Sequence, residues 1–554
     1  MRRLLLLLLL LVLVVLSACA PPAPPPVVAP PLPRLTAIGH PQRVVLLSFD
    51  GLGADGLAQQ SGLVSFAHLA SNGAHARVIP VNPTLTGPTH VSMLTGADPQ
   101  VHGIVSNWFH LPGTPAEKNT RGMDVDIDVE TLVEAARRQG KRVGTVLFPS
   151  VDSRTQRRAA DFGLVWTTSS TLGRVVKLSR ADFKKEWVPP TWTQPPQRRT
   201  SYSPIMRARI EWSVPEGPRA DVDVVAYDTT DDRAENYDAF TVESDDRELT
   251  TDSRGWFAVS KEHFGSWSKF LTATPSLDLT LYWGAISRSN AYPATYRDLL
   301  DEQAGFWPGA PDERAAIDAI TFVEQLERLG DFLARAQAVT VQRMPFDLLL
   351  AYQPIVDEAL HKFQGADDAV IHRAYLSADR ALATVGSLLD GNRDAFIVVG
   401  DHGLVPVEHE YHLGRFLIEH GLAPRWRAYT SNNLAHLYRY GPPDDGDAVA
   451  ALLTATGIFE KVEKKTAASH RNSGDIMATS YPPISVSASE QEPLLGPPAS
   501  HGHHGALNTH RELQPVFLAS GFGVPSGDLG EIRQTKIARF VAELLGIEPP
   551  RSAE

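Results

Sequence analysis

Asp and His side chains in two short pairs are the residues of this sequence best suited to binding a metal ion. Asp357 and His361 lie four residues apart, so on a helix they share one face and can chelate a single ion. Asp401 and His402 are adjacent, and adjacent side chains converge on one ion only at a sharp turn, which the glycines on either side permit. Either pair alone is also common on a solvated surface.

Asp50 and a histidine-rich segment add further candidate ligands. Asp50 directly follows the apolar run 44–49 (VVLLSF). Segment 500–505 (SHGHHG) places three histidines among glycines, which is typical either of a ligand loop or of a flexible surface tract. Because Asp50, the two pairs and this segment occur together in one chain, a metal site is the better interpretation of all of them.

Thr86 is the candidate nucleophile. It is followed by Gly87 and Pro88, and because Pro is favoured in the first turn of a helix, we expect Thr86 to lie just before a helix N-terminus. The free backbone N–H groups at such an end favour a phosphate. A threonine hydroxyl needs a base or a metal ion to become nucleophilic. The alternative is that Thr86 only caps the helix.

Apolar runs that end at these candidate ligands predict the strands that position them. Continuous apolar runs are typical of the buried strands of a largely parallel sheet. They are residues 44–49, 346–352 and 395–399. Segments with helical periodicity lie between them, at 129–138, 314–338 and 367–389. The alternation predicts an α/β fold with a central, largely parallel sheet between helical layers, whose sites form at the carboxyl ends of strands.

The segment 150–310 has a different pattern, which predicts a β-rich inserted subdomain or cap within a catalytic domain spanning 36–549. Alternating polar and apolar residues occur at 207–212, 222–227 and 277–283. Eight of the ten tryptophans lie between Trp166 and Trp307. These tryptophans either fill the core of the insert or line a wall of the substrate site.

The N-terminal residues predict export and lipidation. Arg2 and Arg3 precede an apolar run that is shorter than the about 20 residues needed to span a bilayer. Cys19 is the only cysteine of the chain and follows this run. We therefore expect a lipoprotein signal peptide (1–18), and a lipidated Cys19 that begins a Pro-rich linker (19–35). The predicted location is extracytoplasmic, anchored to a bacterial envelope and to its outer membrane where one exists, and the alternative is a plain secreted protein.

The net charge of the chain restricts its partners. A formal charge of -12 argues against a protein that coats nucleic-acid polymers, which would be basic. It leaves open small anionic substrates that bound metal ions attract.

A series of motifs resembles the type I phosphodiesterase/nucleotide pyrophosphatase branch of the alkaline phosphatase superfamily. The motifs occur in the order of that family and cover the chain from about residue 43 to 549, with 150–310 as the least similar part. They are 48–52 (SFDGL), 83–90 (PTLTGPTH), 93–96 (MLTG) with 102–104 (HGI), 357–361 (DEALH), 400–403 (GDHG) and 504–508 (HGALN).

The resemblance implies an alkaline-phosphatase-like fold with two divalent metal ions, for which zinc suits the oxygen and nitrogen ligands. One ion would be held by Asp357, His361 and His504. The other would be held by Asp50, Asp401 and His402, with the Thr86 hydroxyl bound to it as the nucleophile that forms a phospho-threonine. His504, rather than His501 or His503, matches the family because it alone precedes Gly-x-x-Asn.

The sequence departs from the family at Thr89. The resemblance implies an Asn three residues after the nucleophile, which would donate a hydrogen bond to the phosphate, and here that position is a shorter Thr. The first functional interpretation is a phosphodiesterase or nucleotide pyrophosphatase that acts on a nucleotide or another small diester. The alternatives are a phosphomonoesterase of the same superfamily, an envelope transferase of phospho-head-groups, and a lipid-anchored binding protein. The binding protein is disfavoured because every implied ligand and the nucleophile are present, and a sulfatase because the nucleophile position holds neither Cys nor Ser.

Overall fold

In the computed structural model, the apolar runs of the sequence form the middle of a nine-stranded sheet. The strands are β1 (Arg43–Phe49), β2 (Ala74–Ile79), β3 (Val143–Val146), β4 (Phe162–Val165), β5 (Asn290–Tyr292), β6 (Leu348–Gln353), β7 (Asp394–Gly400), β8 (Val516–Gly521) and β9 (Gly527–Arg533). Their order across the sheet is β5-β4-β3-β6-β1-β7-β8-β2-β9. Five of the eight pairings are parallel, and three are antiparallel. The predicted largely parallel sheet is confirmed.

The structure describes residues 35–152, 155, 157–167, 169–185, 203–230, 232–244, 247–311 and 317–553. The signal peptide expected at 1–18, Cys19, and the linker up to residue 34 lie outside these residues, as do Trp187 and Trp192. Export and lipidation therefore stay predictions. Within the described ranges, no helix has the length and apolar character needed to cross a membrane.

Helices pack on both faces of the main sheet, and two further helices pack against another sheet. In chain order, the helices are α1 (Ala54–Gln59), α2 (Val64–Asn72), α3 (Thr86–Thr95), α4 (Pro99–His102), α5 (Leu132–Arg138), α6 (Ala294–Gln303), α7 (Ala319–Arg343), α8 (Ile355–Phe363), α9 (Asp368–Gly386), α10 (Leu413–Glu419), α11 (Gly446–Ala455) and α12 (Lys536–Leu545). Three of them, α5, α7 and α9, match the helical periodicity of the sequence. Helix α7 lies five residues further along than expected, because the Asp318 side chain accepts a hydrogen bond from the Thr321 N–H and caps the helix there.

The side chains of the central strand β1 alternate between two hydrophobic cores, one on each face of the main sheet. The sheet therefore lies between two layers of helices. Val45 and Leu47 point to the core that contains Leu329 of α7 and Ala378 of α9. Their neighbours Val44 and Leu46 belong to a second core, on the other face, which the apolar side of α12 completes. A strand buried on both faces reads as a continuous apolar run, which is why its sequence shows no alternation.

Two smaller sheets form a β-sandwich within the segment expected to be β-rich. The first sheet contains Lys184–Lys185, Met206–Ser213, Arg219–Tyr227, Ala239–Ser244 and Arg247–Leu249. The second contains Arg174–Leu178, Trp256–Lys261, Phe264–Ala273, Leu279–Trp283 and Ser287–Arg288. Strands β4 and β5 lie inside 150–310 but belong to the main sheet, so the sandwich itself occupies 174–288. The domain boundaries 36–549 and 150–310 stay predictions.

The described tryptophans of this segment mostly fill cores. Trp212 and Trp283 lie in the core that the two sheets share. Trp307 packs against Phe332 of α7, with ring centres 5.7 Å apart. Trp166 is 41% exposed. The interpretation of these side chains as core residues fits their burial better than a substrate wall does.

A further sheet, which the sequence patterns did not predict, lies between β7 and β8 in the chain. Its strands, in spatial order, are Trp426–Ser431, Leu434–Arg439, Ile476–Ser480 and Phe459–Lys464. Its apolar side packs against α10 and α11, through residues such as Phe416, Leu437 and Leu453.

The sandwich is joined to α7 by charged side chains that are almost fully buried. Glu324 of α7 accepts a hydrogen bond from the Trp256 indole at 2.6 Å and pairs with Lys269 at 2.9 Å. One turn further along α7, the Arg328 guanidinium lies 4.4 Å from the centre of the Trp256 ring and 4.7 Å from that of Trp267. Since Glu324 is only 4% exposed, its removal leaves the buried Trp256 indole N–H without this acceptor. The Lys269 ammonium, whose side chain is 13% exposed, loses its carboxylate and keeps the Thr321 hydroxyl at 3.1 Å.

We expect Glu324→Ala to lower the free energy of unfolding by about 3 kcal/mol, because breaking a buried ion pair leaves the partner charge uncompensated. The exposed pair of Lys461 and Glu463, 2.9 Å apart, is the control. Lys461→Ala should change the same quantity by less than about 1 kcal/mol, as for other surface pairs. Chemical denaturation followed by tryptophan fluorescence measures both variants. Equal changes in the free energy of unfolding would contradict a special contribution of the buried Glu324 contacts.

Candidate active site

The candidate ligands meet at the carboxyl edge of three adjacent strands. Strands β6, β1 and β7 are neighbours and run parallel, so their carboxyl ends lie side by side. Asp50 directly follows β1, and Asp401 with His402 directly follows β7. Helix α8 begins two residues after β6 and carries Asp357 and His361 one turn apart, as their spacing predicted. The topology of the sheet thus brings together residues that are far apart in the sequence.

Two groups of side chains within the described residues have the geometry of a metal site. Asp50, Asp401 and His402 form one, and Asp357, His402 and His504 form the other, with the ligand atoms of each group within 4.8 Å of one another. The Nε2 atom of His402 lies 3.3 Å from Asp50 Oδ1 and 3.0 Å from Asp401 Oδ2. The His402 and His504 rings stack with centres 3.7 Å apart. His402 is therefore common to both groups.

His361 occupies a different place from the one that the resemblance implies. Its Nε2 lies 3.3 Å from Asp357 Oδ2, and its Nδ1 donates to the Gly502 carbonyl at 2.6 Å. It contacts the Asp357 carboxylate but is not part of the compact group that contains His402 and His504. The assignment of His361 as a ligand of the first ion stays a prediction.

The charge of the site fits bound cations. Asp50, Asp357 and Asp401 are buried, and their ion pairs among the described residues are with histidines rather than with Lys or Arg. Burial, with the nearby charges of Asp401 and Asp357, raises the pKa of Asp50 well above its usual range. The buried atoms Asp50 Oδ1, Asp357 Oδ1 and His402 Nδ1 make no hydrogen bond with the described residues. Unpaired buried carboxylate oxygens are unfavourable unless a cation accompanies them, and this O and N donor set suits zinc.

Thr86 lies beside this shared ligand. Helix α3 begins at Thr86 itself, with Leu85 as its N-cap, which is one residue earlier than the sequence suggested. The Thr86 hydroxyl is 3.3 Å from His402 Nε2. The next residue, Gly87, donates its N–H to Asn107 Oδ1 at 2.8 Å. The candidate nucleophile is thus at a helix N-terminus and in contact with the histidine that both ligand groups share.

The Thr89 hydroxyl is hydrogen-bonded to the backbone of its own helix. It donates to the Leu85 carbonyl at 2.8 Å and lies 3.5 Å from Asp401 Oδ2. The Thr89 side chain is fully buried. The contact of Thr89 with phosphate stays a prediction, in which the hydroxyl would have to exchange one of these partners for the phosphate.

Several polar residues around the site received no role from the sequence. Thr84 and His90 had a signal, because both lie inside the motif 83–90. Tyr352, whose hydroxyl donates to Asp50, is the last residue of the apolar run 346–352, which has no recognisable polar pattern. Asn107 lies five residues after the motif histidine at 102 and had no recognisable partner in the sequence.

Comparison with known proteins identifies the family. The family model for type I phosphodiesterase / nucleotide pyrophosphatase matches residues 44–206 and 221–507. The chain belongs to this family. The match includes every candidate ligand and Thr86, and leaves out only 207–220 within its span.

The chain is also similar to individual members of the family. Ectonucleotide pyrophosphatase/phosphodiesterase family member 3 from Bos taurus is 30% identical over 115 residues, which are 20% of this chain and 13% of that protein. Member 1 from Homo sapiens is 31% identical over 114 residues, which are 20% of this chain and 12% of that protein. The aligned region is therefore a small part of either relative.

A solved structure of murine ectonucleotide pyrophosphatase/phosphodiesterase 5 shares the fold. That protein, an inactive threonine-to-alanine variant in complex with AMP, is 15% identical, with a TM-score of 0.53. The superposition covers 92% of this chain and 96% of the murine chain. At this identity the likeness concerns the fold, and the alkaline-phosphatase-like α/β architecture expected from the sequence is confirmed.

In this member of the phosphodiesterase family, Thr84 connects the segment before the candidate nucleophile to the segment that contains His504. The Thr84 carbonyl accepts a hydrogen bond from His504 Nδ1 at 2.9 Å, so Nε2 is the candidate ligand atom. The Thr84 hydroxyl donates to the Ala506 carbonyl and accepts from the Gly505 N–H, both at 2.9 Å. A second contact, from the Asn508 amide to the Pro80 carbonyl at 2.7 Å, supports the same junction.

We expect Thr84→Val to weaken zinc binding by about tenfold or more, because residues that orient a ligand contribute this much to metal affinity. Valine keeps the shape but leaves the Gly505 N–H and the Ala506 carbonyl without partners. Thr84→Ser keeps the hydroxyl and is the matched control, with an affinity close to that of the wild type. Competition with a chromophoric chelator measures both variants, and a serine variant as weak as the valine variant would contradict this role of the hydroxyl.

Proposed function

We propose that this chain is a metal-dependent hydrolase of phosphate esters, of the phosphodiesterase/nucleotide pyrophosphatase type, with Thr86 as nucleophile and two zinc ions. The observation that carries the proposal is the position of the Thr86 hydroxyl, 3.3 Å from the histidine that both ligand groups share. Asp357, His361 and His504 would hold one ion. Asp50, Asp401, His402 and Thr86 would hold the other.

When bound, two divalent cations would balance the buried carboxylates, lower the pKa of the nucleophile and stabilise charge on the leaving oxygen. The residues of the chain supply the geometry. The N-terminus of α3 lies beside the place where a phosphate would bind next to Thr86, and its dipole favours an anion there. The Gly87 N–H donates to Asn107 and Pro88 has no N–H, so neither residue offers a main-chain donor to the phosphate. The contact with His402 places the Thr86 hydroxyl near the carboxylates of Asp50 and Asp401.

The reaction proceeds by two displacements at phosphorus. In the first, the Thr86 hydroxyl loses its proton, its oxygen forms a bond to phosphorus, and the bond from phosphorus to the leaving oxygen breaks on the opposite side. The departing alcohol takes up a proton. In the second, water attacks the phospho-threonine, the bond between Thr86 and phosphorus breaks, and Thr86 recovers its proton. Positioning and charge stabilisation account for most of the catalysis in such transfers.

Asn107 is the residue best placed to bind a non-bridging phosphate oxygen. Because its Oδ1 accepts the Gly87 N–H, the orientation of its amide is fixed, and its NH2 group is the part that can donate to a phosphate beside Thr86. We propose this contact in place of the one expected from Thr89. The donor would act on charge that develops in the transition state.

The substrate class that we propose is a diester, with nucleotide esters tested first. The murine neighbour is described in complex with AMP and as inactive when a threonine is replaced by alanine. Lys and Arg are absent from the ion pairs of Asp50, Asp357 and Asp401 in the described part of the chain. A cationic side chain beside the phosphate would have favoured the additional charge of a monoester.

We expect Thr86→Ala to reduce turnover of bis-p-nitrophenyl phosphate by at least about a thousandfold, because the covalent route requires the hydroxyl. Zinc content should stay close to that of the wild type, since the Asp and His ligands remain. Thr86→Ser is the matched control and should retain measurable turnover. The assay also includes p-nitrophenyl phosphate and p-nitrophenyl thymidine monophosphate.

The relative rates decide between the functional alternatives. Faster cleavage of the two diesters supports a phosphodiesterase, and faster cleavage of p-nitrophenyl phosphate supports a phosphomonoesterase. Transfer of the phosphoryl group to an added alcohol in preference to water supports the transferase. A zinc-loaded protein without turnover that depends on Thr86 refutes the proposed hydrolase.

We expect Asn107→Ala to lower kcat by about a hundredfold, the effect of removing one donor to a developing oxyanion. Thr89→Val tests the residue that the sequence favoured, and its effect on kcat should be at least about tenfold smaller, because its hydroxyl donates to the helix backbone. Steady-state kinetics with bis-p-nitrophenyl phosphate measure both. A larger loss of kcat in the Thr89 variant than in the Asn107 variant would indicate that Thr89 contacts the phosphate.

A further inference from the structure

His90 lies between the candidate nucleophile and the candidate ligand Asp401, and the chemistry described above does not use it. Its side chain is 0% exposed. Its Nδ1 is 2.8 Å from the Thr86 carbonyl oxygen and 3.5 Å from Asp401 Oδ2. Its Nε2 is 2.9 Å from Ser48 Oγ. A single buried ring therefore contacts the main chain of the nucleophile, a carboxylate of the metal centre, and a residue of β1.

The hydrogen-bond partners determine the tautomer of this ring. A carbonyl oxygen only accepts, so the hydrogen lies on Nδ1 and is donated to Thr86, with the Asp401 carboxylate as a longer second acceptor. In a neutral imidazole, Nε2 then has no hydrogen and accepts the Ser48 hydroxyl. Both nitrogen atoms of the ring thus have a partner.

Two aromatic neighbours prevent the ring from turning. Phe148 lies edge to face with His90, with ring centres 5.1 Å apart and an interplanar angle of 82°. Tyr352 lies on another side at 5.5 Å and 72°. The Tyr352 hydroxyl donates to Asp50, so the same packing unit also supports a carboxylate of the metal centre.

We propose that His90 is a positioning residue that fixes the distance between the Thr86 hydroxyl and the ligand group of Asp50, Asp401 and His402. The inference rests on the proposed function of Thr86. The N–H of His90 ties the first residue of α3 to the turn that follows β7, and Ser48 holds the ring in register with β1. Without this contact, the polar contacts that still join α3 to the turn are those of Thr86 with His402 at 3.3 Å and of Thr89 with Asp401 at 3.5 Å. We expect these two contacts to be insufficient to keep the Thr86 hydroxyl at its distance from His402.

Substitutions that keep one ring nitrogen at a time separate this role from simple core packing. In His90→Asn the amide group replaces Nδ1 and keeps the donor to Thr86. In His90→Gln the amide group extends to the position of Nε2 and keeps only the contact with Ser48. His90→Leu removes both contacts and keeps most of the volume. The full chain is used for every measurement.

We expect His90→Gln and His90→Leu to lower kcat by about a hundredfold, the loss that a displacement of about 1 Å produces, with KM within about threefold of the wild type. Zinc affinity, measured by competition with a chromophoric chelator, should fall about tenfold in the same two variants. His90→Asn should recover most of both quantities. Rescue by Asn but not by Gln is the result specific to the N–H at Nδ1.

His436 provides the control for loss of a buried histidine. It is 2% exposed and accepts a hydrogen bond from the Gly474 N–H at 3.0 Å, within the sheet that contains Leu434–Arg439. His436→Leu should lower thermal stability without changing zinc affinity. If His90→Leu fails to fold, the comparison of the Asn and Gln variants decides alone.

Equal zinc affinity and equal kcat in the Asn and Gln variants would overturn the proposal and leave His90 as a core residue. The proposed function fails in a different way. If Thr86→Ala keeps full turnover while zinc affinity still follows the order Asn above Gln, His90 positions the metal centre but Thr86 is not the nucleophile.

Discussion

Repulsion among three buried carboxylates is the constraint on which the centre of this structure depends. Asp50, Asp357 and Asp401 are all at most 9% exposed, and each follows one of three neighbouring parallel strands. Carboxylates at such positions destabilise the fold unless hydrogen bonds or cations compensate them. Asp401 accepts the N–H groups of Gly51 and His402, at 3.1 and 2.9 Å. The remaining compensation comes from histidines, one phenol and, as we propose, two cations.

The close approach of backbone segments explains the glycines around Asp401. The sequence suggested that these glycines permit a sharp turn, but the structure gives a different reason. A Cβ atom on Gly400 would lie 2.3 Å from the Leu52 carbonyl oxygen, and one on Gly403 would lie 2.0 Å from the Glu512 carbonyl oxygen. Any larger residue would push the turn away from β1 and the C-terminal segment. Small residues here allow the ligands to come within reach of one another.

The sequence predicted the elements whose pattern depends only on neighbouring residues of the chain, which are the buried strands and the spacing of side chains on a helix. The runs that became β1, β6 and β7 are buried on both faces, so they are recognisable without any partner. Asp357 and His361 lie on one helix, and their spacing is sufficient to place them together. By contrast, the sheet containing Trp426–Ser431 consists of short strands that alternate with polar loops, and its sequence has no long apolar run.

Contacts between distant segments account for what the sequence did not predict. Thr84 and Gly505 are separated by 421 residues, and Asn107 and Gly87 belong to different elements, so no periodicity relates them. The place of His402 in both ligand groups depends on the stacking of its ring with His504, which is a property of the assembled loops. The motifs indicated which residues belong to the candidate site. Only the fold shows that His402 belongs to both ligand groups.

The position of β8 affects the stage of synthesis at which the main sheet and the candidate site can be completed. This strand comes from the last part of the chain, yet it lies inside the main sheet, between β7 and β2. A ribosome that has completed β1, β6 and β7 has therefore produced most of the candidate ligands but neither His504 nor the strand that joins the two parts of the sheet. Pairings of such large sequence separation form slowly and late. A nascent or truncated chain has no complete centre, so exposure of an active hydrolase is postponed until synthesis and folding are finished.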